Sequence, residues 1–236
     1  MAEPTADQRV LERIDPHLIR HAAEIGAEFM QGFRAVDRID RPAATIFGSA
    51  RVREDHRMYA LARETGRLLA EEGFAVVTGG GPGIMEAANR GARDAGGLSV
   101  GFRIKLPRSE AENAYLDISV LFEHFYARKT MLVKAAEGFI LFPGGFGTLD
   151  ELFESLVLIQ TGEVLHFPTI LMGQSYWKEL LAWIRRHPVR EQMVSPEDLD
   201  LLFITDDPEV AVKTIVDCYE RKCAQAPAEP VKADAQ

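Results

Sequence analysis

Three features of the chain predict an α/β protein built on a mostly parallel sheet with helices on both faces. Short apolar runs alternate with longer amphipathic runs, three of the apolar runs end in glycine- or serine-containing turns, and 236 residues suit one such domain with a full core. No internal repeat interrupts the alternation. The expected organisation is an N-terminal helical extension over 1–40, one sheet domain over 41–223, and a disordered tail over 224–236.

Taken in order, residues 1–8 are expected to be disordered, and 15–33 to form a helix placed before the core. The apolar run 44–47 predicts a strand, followed by a helix over 57–72 that Gly73 ends. A strand over 74–77 leads into Thr78-Gly79-Gly80-Gly81-Pro82-Gly83 and a helix over 84–95, which stops at Gly96-Gly97. Residues 98–104 read as a strand, 105–115 as an irregular polar loop, 118–122 as a strand and 124–137 as a helix. A strand over 138–142 enters Pro143-Gly144-Gly145-Phe146-Gly147-Thr148-Leu149-Asp150-Glu151 and a helix over 148–160. The chain then continues with a strand over 168–172, a helix over 176–185, a strand over 201–204 and a helix over 208–222. The tail is rich in Pro, Ala and Glu and lacks apolar anchors.

Composition narrows the function. A net charge of −9 argues against a general binder of nucleic acid or anionic membrane, because phosphate backbones are held through excess Lys and Arg. The sequence has no apolar stretch of membrane-spanning length and no signal-like N-terminus, so a cytosolic protein is expected. The six histidines show no ligand spacing, and no bound metal is expected. Cys218 and Cys223, five apart on one predicted helix, are expected to be reduced thiols without a role.

Chemistry concentrates in the turns. Residues 143–151 place glycines between a strand and a helix, where backbone N–H groups and the helix N-terminus together suit a phosphate. Glu151 follows one helical turn later. Thr148 and Glu151 also have the spacing of an ordinary capping box, which is the blander reading of the same residues. The Gly79 cluster and the turn Gly48-Ser49-Ala50-Arg51 close two further strands, and in an open parallel sheet the carboxyl ends of the strands share one ligand-binding edge. Neither turn carries a complete dinucleotide fingerprint, and Gly147-Thr148 lacks the lysine of a P-loop, so NAD, FAD and ATP are disfavoured. Arg128 and Lys129 lie early in the helix before the 138–142 strand. Arg128 can grip an anion there, although most such Arg-Lys pairs are simply solvated on an exposed helix face.

Gly79-Gly-Gly-Pro-Gly-Ile-Met-Glu86, Arg128-Lys129 and the PGGFGTLDE segment ending at Glu151 together resemble the LOG family, long labelled lysine decarboxylases. The resemblance spans roughly 44–183. It implies a Rossmann-like fold, usually dimeric, and hydrolysis of the N-glycosidic bond of a purine nucleoside 5′-monophosphate, either AMP or a cytokinin riboside monophosphate. By position, Arg128 and Glu151 would be the catalytic pair, and Gly144, Gly145, Gly147 and Thr148 would hold the 5′-phosphate. Ser49, Gly79, Gly80, Gly81, Gly83, Met85, Lys129 and Phe146 complete the expected substrate site, with no cofactor. Plant members carry glycine-methionine-glycine where this chain has Ile84-Met85-Glu86. Glu110 and Glu112 are candidates for the acid that the polar loop supplies in those members. The rival reading is a non-catalytic nucleotide binder or molybdenum-cofactor carrier, since carriers of this fold use similar glycine loops. Pyridoxal decarboxylation is rejected, because Lys105, Lys129 and Lys134 lack the setting that a Schiff-base lysine needs. The segment 152–159 is apolar nearly all round, so a second cover besides the sheet is expected: either the N-terminal helix or a partner subunit. The family resemblance favours a homodimer.

Overall fold

The computed structural model describes residues 18–107, 113–161 and 167–221. Among these residues, seven parallel strands form one sheet: β1 (Ala43–Phe47), β2 (Ala75–Thr78), β3 (Ser99–Ile104), β4 (Ile118–Phe122), β5 (Phe139–Leu141), β6 (Thr169–Met172) and β7 (Leu202–Thr205). Their order across the sheet is β4-β3-β2-β1-β5-β6-β7. The direction of winding therefore reverses between β1 and β5, as in a doubly wound fold, with a crevice at their carboxyl ends.

Among the described residues, seven α-helices flank the sheet: α1 (Leu18–Val36), α2 (Arg57–Glu71), α3 (Ile84–Asp94), α4 (Phe125–Lys134), α5 (Phe146–Gln160), α6 (Gln174–Ile184) and α7 (Pro208–Glu220). Alternation along β1 divides the core, because successive side chains point to opposite faces. Ala43 and Phe47 join one apolar cluster with Phe102, Phe122, Met131, Phe139, Leu152 and Trp177. Ala44 and Ile46 join the other with Ala62, Leu69, Ile84, Ala88, Ile170 and Ile215. Both faces of the inner strands are buried, which explains their unbroken apolar runs.

The expected elements are present, with boundary shifts that have physical causes. Gly73 ends α2 in the left-handed conformation (φ +80°). The helix expected to begin at Thr148 begins at Phe146, with Gly145 as its N-cap. Thr148 is thus the third helical residue, and its hydroxyl makes no capping bond, so the capping-box reading does not hold. A π-helical turn (Arg185–Val189) containing Pro188 and a 3₁₀ segment (Pro196–Leu201) fill the stretch before β7. Cys218 is disulfide-bonded rather than a reduced thiol. A helix through both cysteines would point their side chains apart, but α7 ends at Glu220. Cys223, Glu110, Glu112, the 1–8 segment and the tail lie outside the described residues.

The N-terminal helix does not cover α5. It packs instead against α4 and β4. Leu152 and Ser155 of α5 are buried, whereas Phe153 and Val157 are exposed, so one side of this helix has no cover among the described residues. Among the described residues, no helix is long and apolar enough to cross a membrane.

Candidate active site

The three turns converge because β2, β1 and β5 are neighbours in the sheet. Ser49, just past β1, ties them together through its backbone. Its N–H donates to the Pro143 carbonyl (3.1 Å), and its carbonyl accepts from Ile84 N–H (3.1 Å). Its hydroxyl accepts from Arg51 N–H (3.1 Å), closing a local turn. Gly83, at φ +71°, lies against the same loop: a Cβ there would meet the Ser49 carbonyl at 2.4 Å.

The turn before α5 has a packed side and an open side. A Cβ on Gly144 would fall 2.0 Å from Thr148 Oγ1, so that glycine permits close approach of backbone to side chain. A Cβ on Gly145 or Gly147 would meet nothing within 4 Å. The amide-bearing start of a 15-residue helix therefore borders open space, a geometry suited to an anion. Tyr176, from the first turn of α6, donates its hydroxyl to the Gly144 carbonyl and braces the turn from behind. Phe146 projects at the rim, 90% exposed.

Thr148 and Glu151, three residues apart, share one face of α5, and both are buried. Glu151 is only 7% exposed. Burial pushes its carboxyl up to about 7, against the opposing pull of the Arg128 and Lys129 charges. Glu154 and Asp150 add a smaller push in the same direction as burial.

Arg128 comes from α4. Its Nε donates to the Phe102 carbonyl of β3 (2.7 Å), and its guanidinium lies directly over Gly79. A Cβ on Gly79 would meet Arg128 Nη2 at 2.1 Å and Met85 Sδ at 2.9 Å. Arg128, Gly79 and Met85 are thus one packed unit. Lys129 has a different setting. Its ammonium pairs with Asp150 (2.9 Å) and Glu154 (3.1 Å), tying α4 to α5 on either side of Glu151. Burial pulls the Lys129 ammonium down, but the bonds to Asp150 and Glu154 outweigh it and leave its pKa raised.

Below the Gly79 loop lies a polar network that the sequence reading missed. Thr78 Oγ1 donates to Asn89 Oδ1 (2.6 Å) and accepts from Gly80 N–H (2.9 Å). Asn89 Nδ2 donates to Ser99 Oγ (2.8 Å), and Asn113 Nδ2 donates to Asn89 Oδ1 (3.0 Å). This buried set holds the Gly79 loop at Gly80 and anchors the return of the polar loop at Asn113. Its one sequence signal is Asn89, a polar residue among Ala87, Ala88, Gly91 and Ala92 on the buried side of α3. Glu86 accepts a 2.8 Å bond from the Tyr59 hydroxyl on α2. Burial first, and then this bond, pushes the Tyr59 hydroxyl up to about 12.

Residues 85–215, more than half of the chain, match the family model described as "Possible lysine decarboxylase". The chain belongs to the LOG family. Among LOG relatives, the cytokinin riboside 5′-monophosphate phosphoribohydrolase of Rhodococcoides fascians is 29% identical over 182 residues, covering 73% of this chain and 88% of that protein. The enzyme of the same name from Mycobacterium tuberculosis is 31% identical over 157 residues, 65% of this chain and 82% of that protein. Solved structures with this fold include the molybdenum cofactor binding protein from Rippkaea orientalis, with TM-score 0.57 and 24% identity over 77% of this chain and 99% of that one. Another is the molybdenum cofactor carrier protein from Chlamydomonas reinhardtii, with TM-score 0.55 and 21% identity over 76% and 99% of the two chains. At those identities the likeness speaks for the fold alone.

Proposed function

We propose that this LOG-family chain hydrolyses the N-glycosidic bond of a purine nucleoside 5′-monophosphate, releasing free base and ribose 5-phosphate. The observation that carries the reading is Glu151: a buried carboxyl poised near neutrality, on the helix face that the open glycine turn begins, with Arg128 and Lys129 acting on it. A phosphate seated at Gly145, Gly147 and Thr148 would bring the attached ribose over that face. As the C1′–N bond breaks, its electron pair leaves with the base, which takes up a proton. Positive charge builds at C1′ and on the ring oxygen, as in glycoside hydrolysis. Ionised Glu151 stabilises that charge and accepts a proton from the water that adds to C1′. A carboxyl near pH 7 suits such proton transfer better than one at its ordinary value.

The names of relatives at about this level of identity support the same reaction class. The older decarboxylase description draws no support from the lysines: Lys105 pairs with Glu123 (2.9 Å) and Lys129 with two carboxylates, while Lys134 lies over the Phe33 ring. The deciding experiment incubates the purified protein with a panel of nucleoside monophosphates, AMP and a cytokinin riboside monophosphate included, and follows free base by chromatography. Release of base from one of them is the expected result. Binding without release would favour a carrier and overturn the reading.

A second copy of the chain is the cover we propose for the outer side of α5. Phe146, Phe153 and Val157 follow that side at helical spacing and are 90%, 42% and 55% exposed, and α1 packs elsewhere. Light scattering at micromolar concentration is expected to give twice the mass of one chain, with Val157→Asp shifting the protein toward monomer. A monomeric wild type would sink the proposal.

A further inference from the structure

We infer that Glu28, contributed by the N-terminal helix α1, is a positioning residue that sets the orientation of the helix carrying Arg128. Residues entering a helix leave N–H groups that need acceptors from outside. His124, the N-cap of α4, is extended (φ −111°, ψ 127°) and makes no capping bond with its own side chain. The acceptor comes from α1 instead. Glu28 Oε1 accepts from Glu123 N–H (2.9 Å) and Oε2 from His124 N–H (3.2 Å). The carboxylate thus sits at the positive end of α4, where a negative charge is favoured.

The same carboxylate lies 3.2 Å from Nδ1 of the buried His124 ring, which is flanked by the rings of His21 and Tyr126. From there the path to the site is short. The His124 carbonyl accepts from Arg128 N–H (3.3 Å), and Arg128 reaches back to Phe102 and over Gly79. One turn along α1, Gly32 lets the two helices come together: a Cβ there would meet Met131 Cγ at 2.6 Å. Glu28 and Gly32 together dock α1 onto α4, the helix that carries Arg128. Helix α1 therefore bears on the glycine edge through α4.

The catalytic consequence rests on the proposed hydrolase reading, so the experiment separates the two. Steady-state rates with AMP are measured for wild type, Glu28→Ala, Glu28→Gln and, as control, Glu24→Ala, whose carboxylate pairs with Arg20 on the exposed side of the same helix. Glu28→Ala is expected to lower kcat about 10-fold while KM changes by less than about 3-fold, the pattern of an interaction felt mainly in the transition state. Glu28→Gln, which keeps one acceptor oxygen, is expected to lie between it and wild type, and Glu24→Ala to match wild type. In an Arg128→Lys background, Glu28→Ala should add less than about 2-fold, because residues acting through one another are not additive. An unchanged kcat in Glu28→Ala, or its full effect multiplied onto Arg128→Lys, would overturn the inference. If Glu28→Ala does not fold, Glu28→Gln decides alone, a wild-type kcat being the adverse result. If the wild type cleaves none of the nucleotides, the hydrolase reading fails separately. Amide exchange over 125–131 then decides the positioning role: faster exchange in the Glu28 variants than in wild type and Glu24→Ala supports it, and equal exchange overturns it.

Discussion

Glu151→Gln should release adenine from AMP at least about 10²-fold more slowly than wild type, the scale typical of losing a positioned proton-transfer group. The same substitution should make the protein more stable at pH 8 than the wild type, which separates loss of chemistry from loss of fold. The sign follows from the raised pKa. Below the ordinary value of 4.5 the side chain is neutral in both folded and unfolded chains. Between 4.5 and about 7 the folded protein keeps a proton that the unfolded chain has released. Wild-type stability from this group is therefore full below pH 4.5, falls as pH rises across that window, and levels off above about 7. Glutamine has no such dependence. Relative to wild type, the variant should gain up to about 3 kcal/mol between pH 4 and pH 8, from the linkage between pKa shift and stability. Denaturant midpoints at the two pH values check the gain, and kcat/KM of the wild type should rise with pH through about 7. A variant that turns over like the wild type would remove Glu151 from the mechanism. A variant equally stabilised at both pH values would remove the buried-carboxyl argument.

Much of this fold was legible because its punctuation is local. Gly73 after one helix, the glycine clusters at 79–83 and 144–147, and the unbroken apolar runs of the inner strands each act within a few residues. What could not be read was anything set by distant pairing. The three turns were expected on one edge, but that Ser49 bonds both Pro143 and Ile84 depends on β1 lying between β2 and β5. Thr148 and Glu151 matched a capping box in sequence, yet the glycine turn carries the chain into a helix two residues earlier and leaves both side chains facing inward. Lys129, expected in the substrate site, is drawn to Asp150 and Glu154, partners that only the packing of α4 on α5 supplies. Glu28 lies 95 residues from Glu123, and no local pattern joins them. Asn89 left a trace only as a polar residue on an alanine-lined face.

Gly79→Ala is the sharpest test of how Arg128 is held, because it adds one methyl group where the guanidinium lies. The new Cβ would fall 2.1 Å from Nη2 and 2.9 Å from Met85 Sδ, so both side chains must move. Both atoms belong to flexible side chains, and the backbone of Gly79 has no positive φ to oppose an alanine. The fold should therefore absorb the change at a cost of about 1 kcal/mol, the low end of what overpacking costs, with no backbone strain added. Activity should not absorb it. A guanidinium displaced from Gly79 is drawn off its 2.7 Å bond to the Phe102 carbonyl and out of register with Glu151. Misplacement of a catalytic group by about 1 Å can cost on the order of 10²-fold in rate. Gly83→Ala provides the contrast. It is held at φ +71° with the Ser49 carbonyl at 2.4 Å, backbone against backbone, so it should lose about 1–3 kcal/mol of stability through strain at that position. If Gly79→Ala retained full turnover while Gly83→Ala destabilised as expected, the packing of Arg128 on Gly79 would be structural only, and the proposed action of Arg128 on Glu151 would fall.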